Sequence, residues 1–161
     1  MGFLSSLILK GVVRSALALE AQSIATYQRL RGKVENGRSC SDSLDDSICR
    51  LLAEEELHRK ILQEAAAGRL TQDQLEKLLA RRADRSLAVA PLGPRERDQW
   101  GEALSSALDH EEKTWIFYSN LRRMSRIPAV KRAFEALALM EKEHVDILRS
   151  LLGRPDPTRG S

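Results

Sequence analysis

The pattern Glu-x-x-His occurs twice in this chain, as Glu55-Glu56-Leu57-His58 and as Glu141-Lys142-Glu143-His144. Both copies interrupt runs of aliphatic residues at helical spacing. Leu44, Ile48, Leu51, Leu52 and Leu62 share a stripe with the first, and Val130, Phe134, Leu137, Leu148 and Leu151 with the second. Steps of three and four mark one helix face turned toward a core. Upstream of each motif lies another apolar stripe holding a single glutamate. Glu20 sits among Leu9, Val13, Ala16, Tyr27 and Leu30; Glu111 sits among Trp100, Ala103, Leu104, Ala107, Tyr118 and Leu121. A buried carboxylate with no partner costs several kcal/mol, on the order of its desolvation, so these residues demand compensation inside the fold.

The stripes also repeat. Leu17-x-x-Glu20-x6-Tyr27-x-x-Leu30 has its match in Leu108-x-x-Glu111-x6-Tyr118-x-x-Leu121. Leu51-x3-Glu55-x-x-His58-x-x-Ile61-Leu62 has its match in Leu137-x3-Glu141-x-x-His144-x-x-Ile147-Leu148. The repeat predicts an all-α, four-helix bundle made of two similar helix pairs, about residues 6–67 and 95–152, with approximate two-fold symmetry. Helix 1 is expected to stop near Gly32, helix 2 to start near Ser41 to Ser43, and helix 4 to begin at Pro128 and end at Gly153. Between the pairs lies a long connection with a short helix over about 72–85, closed by Pro91-Leu92-Gly93-Pro94. One bundle domain over 1–153 and a flexible tail over 154–161 complete the expected organisation.

Composition supports helices: aromatics make up 4% of the 161 residues, and Gly and Pro cluster at a few points instead of recurring as in β-sandwiches. The net charge of +3 comes from interleaved acidic and basic residues without a basic stripe, so no nucleic-acid partner is expected. No segment reaches the ~20 apolar residues of a membrane span. The stretch Met1 to Lys10 lacks a basic leader and reads as the first turns of helix 1. Two cysteines, Cys40 and Cys49, are too few for an all-thiolate metal site, and a cytoplasmic location is the expectation.

Residues three apart on a helix project from one face, so each Glu-x-x-His aims a carboxylate and an imidazole at one cavity. Two such motifs plus one glutamate from each remaining helix form the donor set of dinuclear carboxylate bundles. Glu20, Glu55, His58, Glu111, Glu141 and His144 are therefore the expected ligands of two divalent ions. Oxygen donors with one imidazole per ion suit iron, with manganese or a mixed pair as alternatives. Tyr27 and Tyr118, two turns after their glutamates, project into the same core, either filling space or hydrogen-bonding a ligand carboxylate. Glu54, Glu56, Glu112 and Glu143 read as solvated or salt-bridged, His110 as pointing elsewhere, and Trp100 and Trp115 as packing residues.

The string from Ala16-Leu17 through Glu20, Ser23 and Tyr27 to Leu30 resembles the first helix of rubrerythrin-like members of the ferritin superfamily. Ala138-Leu139-Met140-Glu141-Lys142-Glu143-His144 resembles their Glu-Lys-Glu-His segment, and the likeness covers about residues 6–153. It implies a ferritin-like fold and a diiron site in which Glu55 and Glu141 bridge the ions. Glu20 and His58 would complete one ion, and Glu111 and His144 the other. Two departures stand out. Thr114 occupies the position of an additional glutamate on which a mobile-iron peroxidase mechanism depends, leaving a fixed, ferroxidase-like centre open. No paired Cys-x-x-Cys of a rubredoxin module occurs.

The expected function is thus that of a non-haem diiron oxidoreductase, peroxidase or ferroxidase in type, acting on Fe(II) with O2 or H2O2. The resemblance implies a homodimer, with helix pairs exchanged in some members, and an external electron donor such as a rubredoxin-like protein. Iron storage or delivery, as a ferritin-type subunit or shell cargo, is the second reading. A metal-stabilised interaction module without turnover is the third.

Overall fold

The computed structural model describes residues 3–35, 41–67, 69–71, 73, 76 and 89–154. Four helices account for almost all of them: α1 (Phe3–Glu35), α2 (Asp42–Ala66), α3 (Pro94–Met124) and α4 (Pro128–Leu151). No strand occurs among the described residues. Helix α1 packs chiefly on α2 and α3 on α4, and the two pairs meet through α2–α4 and α1–α3. The all-α bundle of two helix pairs stands as the repeat indicated. Of the short connecting helix expected over 72–85, the two described residues, Asp73 and Glu76, are helical; the rest of it, the tail beyond Arg154 and Cys40 lie outside the described residues.

Local chemistry explains the helix boundaries. Ser41 caps α2, its hydroxyl accepting from the Leu44 amide at 3.3 Å. Pro94 opens α3 and Pro128 opens α4, at positions where a missing N–H costs nothing. Glu96 ties two helix starts together: one carboxylate oxygen accepts from the Ser41 amide at 2.6 Å and the other from the Gly93 amide at 3.3 Å. After α4 the chain turns at Gly153 with φ of 64°, a left-handed conformation suited to glycine. Helix α1 does not stop at Gly32 but runs on to Glu35. An Arg31–Glu35 ion pair at 2.9 Å spans that last turn, and a lone helical glycine costs only about 1 kcal/mol.

The core is layered along the bundle axis. At one end Ile24, Leu44, Ile48, Leu51, Trp100, Leu104, Leu148 and Leu151 form an apolar plug. At the other end, Ala16, Leu62, Phe134, Leu137 and Ala138 form a second, beside Ile61, Ala133, Ala136 and Met140. Between the plugs, in the sequence order of every helix, lie Glu20, Glu55, His58, Glu111, Glu141 and His144, all at most 1% exposed. Apolar layers above and below thus wall the acidic layer off from water. Among the described residues no helix is long and apolar enough to cross a membrane.

Candidate metal centre

Each of the six side chains reaches the middle layer from the stripe its helix turns inward. Helix α2 contributes Glu55 and His58, α4 Glu141 and His144, α1 Glu20 and α3 Glu111. The imidazoles stack 5.2 Å apart, inclined by 14°, with both Nδ1 atoms turned toward the carboxylates. His58 Nδ1 lies 3.0 Å from Glu141, 3.4 Å from Glu20 and 3.7 Å from Glu55. His144 Nδ1 lies 2.8 Å from Glu55, 3.5 Å from Glu141 and 3.9 Å from Glu111. Each histidine therefore meets one glutamate of its own and both Glu55 and Glu141. Donor atoms of Glu55, His58, Glu141 and His144 all fall within 4.8 Å of one another, close enough for one cation to touch several.

These approaches have ion-pair distances but not hydrogen-bond geometry. Glu20 Oε2, both oxygens of Glu55, His58 Nδ1, Glu111 Oε2, both oxygens of Glu141 and His144 Nδ1 are buried without a hydrogen-bond partner. Trp100 Nε1 is the remaining such atom among the described residues. Native interiors rarely leave polar atoms orphaned, and here nearly all of them converge on one point. Carboxylate oxygens and imidazole nitrogens are the donors that hard or borderline divalent cations take, so this set fits a metal pair.

Residues 102–160 match the family model described as Rubrerythrin. Over that stretch the chain is similar to rubrerythrins. The match takes in α3 from residue 102 onward and α4, and with them Glu111, Glu141 and His144; the first helix pair, with Glu20, Glu55 and His58, lies outside it. No curated protein and no solved structure matches the chain.

Around this cluster the tyrosines cross between halves. Tyr27 on α1 donates to Glu111 Oε1 at 2.7 Å, and Tyr118 on α3 donates to Glu20 Oε1. Ser23 adds a second donor to Glu111 Oε1 at 3.3 Å. Of the two roles open to the tyrosines, hydrogen bonding to a cluster carboxylate is the one observed. Thr114, fully buried, turns its hydroxyl back to the His110 carbonyl at 3.0 Å and so leaves the cluster alone. His110 itself points away, its Nε2 3.3 Å from the Leu19 carbonyl. Cys49 donates weakly to Asp45 on its own helix, and burial and the Asp45 charge push its thiol up, so it is no thiolate donor.

One participant differs from expectation. Glu54 reads in the sequence as a solvated or salt-bridged neighbour of Glu55. It does pair with Arg50 at 2.8 Å, but its other oxygen lies 3.0 Å from His144 Nε2. The second histidine has no such carboxylate: His58 Nε2 faces the Met140 sulfur at 3.0 Å.

Protons distribute over the cluster according to burial and charge. Burial raises the Glu20 carboxyl from 4.5 to about 8, against the pull of His58. Burial, with the Glu55 and Glu141 charges, raises Glu111 well above the carboxylate range. Burial pushes Glu55 and Glu141 the same way, but the two imidazoles outweigh it and hold both low. Burial pushes His58 and His144 down, yet Glu141 beside one and Glu55 beside the other keep both protonated well above 6.5. The shifts all run toward neutralising the layer, with protons drawn to Glu20, Glu111 and the imidazoles and away from Glu55 and Glu141. Protons occupy the role that cations would otherwise fill.

Proposed function

We propose that this rubrerythrin-like chain is a non-haem diiron oxidoreductase that uses H2O2 or O2 as oxidant. The observation that carries the reading is the convergence of eight partnerless buried donor atoms on six residues of one bundle, three of them within the stretch similar to rubrerythrins. On this reading Glu20 and His58 would hold one ion, Glu111 and His144 the other, and Glu55 and Glu141 would serve both. Each Nδ1 lies near its own glutamate and near both spanning ones, which supports that division. When bound, two ferrous ions supply the two electrons that convert one H2O2 and two protons into two waters.

The chain's own residues set the conditions. Four carboxylates offset the charge of two divalent ions and favour the higher-valent pair. Tyr27 and Tyr118, whose phenols burial and the facing glutamates push well above 10, stay neutral and hold Glu111 and Glu20 in place. The apolar plugs exclude bulk water, which strengthens every charge interaction between them. Thr114, bonded to its own helix, offers no further carboxylate to which an ion could move, which supports a fixed centre. Cys40 and Cys49 supply no paired thiolates, so electrons come from Fe(II) itself or from outside these residues.

Anaerobic loading with Fe(II), followed by rapid mixing with H2O2 or O2, tests the reading through the absorbance of ferric product. A burst is expected, faster with the physiological oxidant, and absent in Glu55→Ala and Glu141→Ala. A burst at the unmodified rate in either variant, bound metal that ignores both oxidants, or many irons per chain would each contradict it.

A further inference from the structure

The two halves of the cluster match in their inward donors but not in what stands behind the histidines. The step along the chain that carries Glu55 to Glu141 and His58 to His144 also carries Glu54 to Met140 and Arg50 to Ala136. Each of these outer positions faces the histidine of the opposite pair. Glu54 on α2 meets Nε2 of His144 on α4 at 3.0 Å; Met140 on α4 meets Nε2 of His58 on α2 at 3.0 Å. Arg50 holds one oxygen of Glu54 at 2.8 Å from a turn away, leaving the other for the imidazole, and its Nη2 lies 3.7 Å from Glu143 on α4. Ala136, fully buried, supplies nothing equivalent behind Met140.

Resting on the dinuclear reading above, we infer that Glu54 is a positioning residue that makes the two metal positions unequal, the one served by His144 and Glu111 binding a divalent ion more tightly than the one served by His58 and Glu20. A carboxylate accepting from the outer ring nitrogen keeps the proton there, frees the Nδ1 lone pair for the metal and makes that nitrogen a stronger donor. A thioether is a weak acceptor and does neither as well. Arg50 confines Glu54 to one orientation, so His144 is held in its ligating pose before metal arrives. The difference lies outside the ligand set, which is why the repeat of ligands conceals it.

Soaking crystals of the full chain with one equivalent of Mn(II) and locating it by anomalous diffraction reads the inequality position by position. Manganese is expected chiefly beside His144 and Glu111. Glu54→Met copies the opposite half and should weaken that position by about 10- to 100-fold, evening the occupancies; Glu54→Gln, which keeps an acceptor, should restore part of the difference. Met140→Gln gives His58 an acceptor and should raise occupancy at its position without touching Glu54, so the test survives if a Glu54 variant fails to fold. Equal filling in the unmodified protein, or occupancies indifferent to both Glu54→Met and Met140→Gln, would overturn the inference while leaving a dinuclear site in place. No manganese at either position would overturn both.

Discussion

Tyr27 on α1 donates its hydroxyl hydrogen to Glu111 on α3 at 2.7 Å, and the bond joins the two helix pairs across the acidic layer. Its counterpart, Tyr118 to Glu20, runs the opposite way. The crossing is not fully symmetric, because Ser23 also reaches Glu111 while Thr114, its repeat partner, is spent on the His110 carbonyl. Tyr118→Phe therefore strips Glu20 Oε1 of the donor it has, whereas Tyr27→Phe leaves Ser23 in place. Each loss should cost about 1–3 kcal/mol, Tyr118→Phe the more, lowering Tm by about 2–4 °C per kcal/mol at this chain length. Equilibrium unfolding of both variants measures it; equal losses, or a larger one at Tyr27, would contradict the asymmetry.

Metal binding should release protons. His58 and His144 each surrender one from Nδ1, and Glu20 and Glu111 each lose a carboxyl proton, so about four protons leave per two divalent ions near neutral pH. A weakly buffered solution with an indicator dye reads the number directly. Release of none would mean that the imidazoles and carboxyls are already deprotonated before metal arrives.

Without metal, stability should fall as pH rises. The folded state keeps a proton on Glu20 up to about 8, whereas an unfolded carboxyl gives it up near 4.5, so this contribution drains away between those values. Glu111, His58 and His144, all raised, act in the same direction; for the histidines the contribution is whole below 6.5 and lost as pH climbs through the folded value. Glu54 works oppositely. Burial raises it, but His144 and Arg50 outweigh burial and bring it to about 2, so its contribution is lost as pH falls from 4.5 toward 2. Thermal unfolding of metal-free protein at pH 5, 6.5 and 8 should give a descending Tm, and added Mn(II) should raise Tm most at pH 8.

Glu20→Gln separates stability from ligation. An amide cannot ionise, so between pH 5 and pH 8 the metal-free variant should lose less Tm than the unmodified protein, the remaining fall coming from Glu111 and the histidines. Its gain in Tm on adding Mn(II) should shrink, because a strong anionic donor is gone. A variant that loses as much Tm by pH 8 as the unmodified protein, yet keeps the full gain with metal, would remove Glu20 from the cluster's chemistry.

The residues of the buried cluster are legible in the sequence because charge on an apolar stripe is costly and because the stripe repeats. Glu55, His58, Glu141 and His144 interrupt aliphatic runs, and only burial in a shared layer makes sense of all of them. The partners of the tyrosines were not legible, since helical period places a hydroxyl in the core without saying which opposing helix it meets. Glu54 was harder still. It lies one residue off the inward stripe, and only the crossing of α2 on α4 brings it to the back of His144. A signal was nevertheless present: Glu54 and Met140 hold the same place in the repeat and differ completely in chemistry, with Arg50 one turn before Glu54 and Ala136 one turn before Met140. The end of α1 is not legible at Gly32, because a glycine ends a helix only where the chain must turn, and here the helix continues to Glu35.

Retention of a metal pair by the buried Glu/His layer can be measured directly. Metal-free protein incubated anaerobically with excess Fe(II), passed through gel filtration and assayed for iron should retain about two ions per chain, and Glu55→Ala and Glu141→Ala should each retain fewer. Protein that emerges free of iron while folded would contradict the central claim.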